Sequence, residues 1–81
     1  MKPKRKDIVP GAILTVRKGH KLTLDAYRML SGGSWDMLDG GICHVITGPR
    51  KLEGINLVRV KVNAEQEFEV FYCDVLKHCE V

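Results

Sequence analysis

Eighty-one residues, 44% hydrophobic and 28% charged, have room for one domain around one small core and are too apolar for a disordered tail. No apolar run approaches the ~20 residues that a membrane-spanning helix needs, and no apolar segment follows the charged start Met1–Asp7, so no secretory leader is expected. The formal charge of +3 favours an anionic partner, yet falls short of a dedicated nucleic-acid-coating protein.

From the N-terminus, Lys2, Lys4, Arg5 and Lys6 surround Pro3 and form a basic flexible arm over residues 1–6. Such an arm either lies along phosphates or serves as a solubilising tail. Residues 7–81 then read as a single domain, with neither an internal repeat nor a low-complexity linker. Pro10 and Gly11 lead into a first strand, Ala12–Arg17, in which both faces hold apolar side chains. Lys18-Gly-His-Lys21 leaves that strand with positive charge. Thr23 is placed to cap a short helix over Leu24–Leu30, stopped by Ser31-Gly-Gly33, and so short a helix must pack on a sheet. The alternative is a long irregular loop, Lys18 to Asp39, with one helical turn. Trp35, the single tryptophan, lies between two glycine-rich stretches and is either an anchor for a partner or a lid over one end of the domain.

Ile42–Thr47 and Ile55–Val62 are the clearest strands. Between them, Gly48-Pro-Arg-Lys-Leu-Glu-Gly54 reads as a basic hairpin loop. In the second strand Val58, Val60 and Val62 face the core, while Arg59 and Lys61 face out. After a turn at Asn63–Gln66, Phe68–Tyr72 returns, with Lys61 expected opposite Glu69 if Val62 pairs with Phe68. Glu67 and Glu69 are then surface partners rather than a catalytic acid pair. Cys73–Leu76 is turn-like, and Lys77–Val81 closes the sheet.

This layout is mostly β, with one short helix or helical turn in the long loop after the first strand, and it resembles a five-stranded SH3-like small barrel, an architecture that removes exposed sheet edges. Within Cys43–Gly54, Val45, Gly48, Lys51 and Gly54 are arranged like the KOW motif of ribosomal and transcription-elongation proteins: an apolar alternating strand, a glycine, a basic residue and a second glycine. The resemblance implies contact with nucleic acid or with the transcription or translation machinery, and no enzymatic activity.

The chemistry of single residues points the same way. Cys43, Cys73 and Cys79 are odd in number and irregular in spacing, which argues for reduced thiols in a cytoplasmic protein. With His44 and His78 they make no zinc knuckle, so no metal or other cofactor is expected. No nucleophile elbow, phosphate-cradling loop or paired-acid motif is present, and no catalytic residue is assigned. The expected ligand is a duplex or structured RNA, held through phosphates by Arg17, Lys18, Lys21, Arg50, Lys51, Lys4 and Arg5. Scarce aromatics argue against base stacking. A protein-interaction module or small regulator of a larger enzyme, docking through Tyr27 and Trp35, is the competing reading. Either is compatible with a homo-oligomer, and neither involves a membrane.

Overall fold

The computed structural model describes residues 2–24, 35–62 and 66–81. Its backbone is mostly β. A 3-10 turn, Arg5–Asp7, precedes β1 (Ile13–Val16), β2 (Lys21–Leu24), β3 (Trp35–Leu38), β4 (Ile42–Leu52), β5 (Ile55–Lys61) and β6 (Glu67–Phe71); α1 (Tyr72–His78) and β7 (Cys79–Glu80) follow. Two sheets result: a five-stranded one in the order β6-β5-β4-β1-β7, and the β2-β3 ribbon. Every pairing is antiparallel. Among the described residues no helix is long and apolar enough to cross a membrane.

Alternation decides which face of the larger sheet is inward. Leu14 and Val16 of β1, Cys43 and Val45 of β4, Val58 and Val60 of β5, and Phe68 and Val70 of β6 are buried together. On β1 this leaves Ile13 on the outer face, 54% exposed. Leu22 and Leu24 bring the ribbon onto the same core, with Val75 of α1 and Cys79 of β7. The segment read as an arm carries structure of its own. Pro3 is buried, the Lys4 N–H donates to Asp7 Oδ2 (2.8 Å), and Ile8, just beyond it, is a core residue.

Four expectations change. Thr23 and Leu24 belong to β2, paired with Asp36 and Trp35, so no helix starts there; the remainder of that stretch, residues 25–30, lies outside the described residues. Trp35 begins β3 rather than sitting in a loop, its backbone paired with Leu24, and Met37 of the same strand packs against the core. A helix is described near the C-terminus, in a stretch read as turn-like, where Tyr72, Val75, Leu76 and Cys79 recur at helical spacing and pack inward.

The fourth change concerns the hairpin. Its loop is only Glu53-Gly54, with Leu52 opposite Ile55, and both residues have positive φ (52° and 83°). That is the backbone of a type I′ turn, whose twist matches the two strands. Arg50 and Lys51 are therefore not loop residues. They lie in β4, opposite Leu57 and Asn56. Gly48-Pro49 is absorbed by irregularities of register between Val45 and Arg50, the kind of place where a strand tolerates proline. Gly48 also passes so close to the Ile8 carbonyl that a Cβ would lie 3.0 Å from it.

Candidate nucleic-acid interface

The seven basic residues expected at the interface do not share one surroundings. Arg50 and Arg59 reach across the outer face of β4, β5 and β6 to one acid, Glu69. The register sets this up: Arg59 stands opposite Glu69 and Lys61 opposite Glu67, two residues away from the pairing expected of Lys61. Arg50 Nη2 and Arg59 Nη1 (2.8 Å) both donate to Glu69 Oε1, and Arg59 Nε donates to Glu67 Oε1 (2.9 Å). The Glu69 side chain is 11% exposed, so it is a buried acid and not a surface partner. Its Oε2 is buried with no hydrogen-bond partner among the described residues. The hydrogen bonds that Arg59 donates to Glu67, then Glu69, raise its pKa above the usual value. Arg50 thus spends its charge on an internal carboxylate, whereas Lys51 is exposed.

Arg17, Lys18 and Lys21 are at another corner, where β1 turns into β2. The Arg17 N–H donates to the His78 carbonyl (2.8 Å), and its Nη1 makes a long contact with the Lys77 carbonyl (3.4 Å). Chain segments 60 residues apart are joined there, and Lys77 enters the basic group, although nothing in its local pattern marks it out. Lys18 and Lys77 are exposed. Lys21 pairs with Asp36 at 3.5 Å, an exposed contact of small value. The Gly19 N–H donates to Asp39 Oδ2 (3.0 Å). Beside this turn is an open cavity of about 310 Å³ lined by Thr15, Val16, Lys18, Asp39, Gly40 and Glu80. His20 and His78 also meet at this corner, Nδ1 to Nδ1 at 3.0 Å. Sequence reasoning gave neither a role here, because a contact across 58 positions leaves no local signal.

Lys4 is exposed, and Arg5 lies over the Tyr72 ring, 5.9 Å from its centre, at the start of α1. Trp35 pairs through its backbone with Leu24, and Tyr27 is outside the described residues. The cysteines have unlike surroundings: Cys43 and Cys79 are buried, whereas Cys73 is exposed on α1. Burial pushes the Cys43 thiol up to about 11; burial, with the charges of Cys43 and Asp74 adding, pushes Cys79 up to about 12. A thiol so held is a core side chain and a poor nucleophile. Comparison with family models, with curated proteins and with solved structures finds no match to this chain.

Proposed function

We propose that this chain is a small cytoplasmic SH3-like binding module, without enzymatic activity, that contacts duplex or structured nucleic acid, or a nucleoprotein of transcription or translation. Its contacts run through the corner formed by Arg17, Lys18, Lys21 and Lys77. The strand order supports the SH3-like reading: a β4-β5-β6 meander, a short helix, and a last strand returning to β1, with the β2-β3 ribbon inserted after β1. Gly54 at φ 83° and exposed Lys51, three residues before it, are what favours the KOW likeness. The observation that carries the ligand class is the junction of Arg17 with Lys77 and His78, which gathers cations from both ends of the chain while Arg50 is occupied by Glu69. Cations of this kind grip phosphates with little regard for sequence.

The test is fluorescence anisotropy with duplex RNA and duplex DNA over a salt series. The expected outcome is binding that weakens steeply with salt, and a Lys18→Glu/Lys77→Glu variant that loses about tenfold or more in affinity with a shallower slope, each lost phosphate contact removing about 0.9 from it. Salt-independent binding, or a charge reversal without effect, overturns the proposal.

A second reading, docking on a protein, has one observation behind it. Ile13 and Ile42 are about half exposed and diagonal neighbours on the outer face of β1 and β4, and Leu38 at the end of the ribbon is 68% exposed. If Trp35→Ala or Leu38→Asp releases a purified partner that the lysine reversal leaves bound, this reading replaces the first.

A further inference from the structure

His20 and His78 are half-buried and come from segments that meet only in the folded chain: the turn that opens β2, and the last residue of α1. Their ring centres are 5.3 Å apart and their Nδ1 atoms 3.0 Å apart. The difference between those distances is about two ring radii, so the nitrogens face each other nearly head-on. That is the geometry of an N–H···N hydrogen bond. It requires one ring to carry a proton on Nδ1 and the other to offer a lone pair there. Backbone bonds fix both residues: the His20 N–H donates to the Arg17 carbonyl (2.9 Å), and the His78 carbonyl accepts from the Arg17 N–H (2.8 Å).

We propose that this pair is a proton-operated latch holding the β2-β3 ribbon to the α1–β7 junction. With both rings neutral, or with one proton added to the pair, the hydrogen bond persists. With both rings protonated, each Nδ1 is a donor, no acceptor remains between them, and two positive charges face one another at contact distance. The neighbours on the β1–β2 side are Arg17, Lys18 and Lys21, the last paired with Asp36 of β3. On the α1–β7 side are Lys77 and Glu80, and Asp39 is tied to the Gly19 N–H between the two. Arg17, Lys18 and Lys77 add to the repulsion when the second proton arrives, and Asp39 and Glu80 offset part of it. Because α1 packs directly on β2, opening the pair loosens the ribbon while the five-stranded sheet keeps its ladder. The latch is a property of the free protein and does not depend on what the corner binds.

Two measurements test it. Imidazole ¹⁵N NMR near pH 7.5 is expected to show one of the two rings in the Nδ1–H tautomer, the form that an unpartnered histidine disfavours. Amide hydrogen exchange, corrected for intrinsic pH effects, is expected to quicken in β2 relative to β5 by about fivefold or more between pH 7.5 and pH 5, the factor that a single lost contact supplies. In His20→Asn that ratio is expected not to change with pH. Both rings in the Nε2–H tautomer at neutral pH, a constant β2-to-β5 ratio in the parent, or a pH response that survives in His20→Asn overturns the latch. Should His20→Asn fail to fold, the tautomers and exchange of the parent still decide.

Discussion

Cys43 and Cys79 stand on strands that flank β1 on its two sides, opposite Leu14 and Val16, and both are fully buried. Cys73, on the exposed side of α1, differs from them in access. Alkylation of the native protein is therefore expected to modify Cys73 alone, with the other two reacting only after denaturation; mass spectrometry of the labelled peptides reads the result, and rapid labelling of Cys43 would refute it. Burial also gives the two thiols a pH signature. Their folded values, about 11 and about 12, stand above the ordinary 9.0, so the folded chain keeps protons that the unfolded chain releases. Stability from these groups is complete below pH 9.0 and declines as pH rises above it, by about 1.4 kcal/mol per pH unit for each thiol inside the window. Urea midpoints between pH 8.5 and 10.5 are expected to fall for the parent and to fall less steeply for Cys79→Ala; equal slopes in the two would count against this account.

At the level of elements, β4, β5 and β6 are joined by more than their ladder. Arg50 and Arg59 both hold Glu69, which the sheet has taken out of water. A buried charge is costly when left alone, and either guanidinium suffices to keep it paired. Arg50→Ala and Arg59→Ala are therefore each expected to be mild, whereas the double variant loses about 3–5 kcal/mol, more than the sum of the two. Urea denaturation of the four proteins in this cycle reads the coupling, and simple additivity would show that Glu69 does not depend on them. The same arrangement explains why the hairpin misleads when read as sequence. Gly48-Pro49 followed by two basic residues has the chemistry of a loop, but the chain can bulge there and stay in register, and the real turn needs only two residues with positive φ. The valines of β5 are legible because alternation gives them one buried face. The burial of Glu69 is not, since it follows from a register two residues away from the one that local pattern favours. Helix α1 leaves a trace in the spacing of Tyr72, Val75, Leu76 and Cys79, yet one of seven residues is short enough to pass for a turn.

For the whole molecule, the mostly-β character is legible from strands and turns alone, while the arrangement of the candidate corner is not. Arg17 meets Lys77 and His78 only because β7 closes on β1, a pairing between distant segments that periodicity cannot announce. The same closure makes the core a joint product of both sheets. Leu22, fully buried, belongs to the ribbon, but most of the core cluster it shares comes from the larger sheet, with Val75 of α1 added. A chain of 81 residues has a stability on the order of 4–12 kcal/mol, and truncating one such leucine costs about 2–5 kcal/mol. Leu22→Ala should therefore weaken the entire domain rather than free the ribbon. The single tryptophan, Trp35, lies in β3 and reports on the ribbon, while far-UV circular dichroism is dominated by the larger sheet. At pH 7.5 the two probes are expected to trace one coincident urea transition in the parent. In Leu22→Ala they should shift together to lower urea with an unchanged m-value. A tryptophan transition that precedes the circular-dichroism transition in the parent would mean that the ribbon is a separate unit, and that Leu22 rests on the core without helping to hold it together.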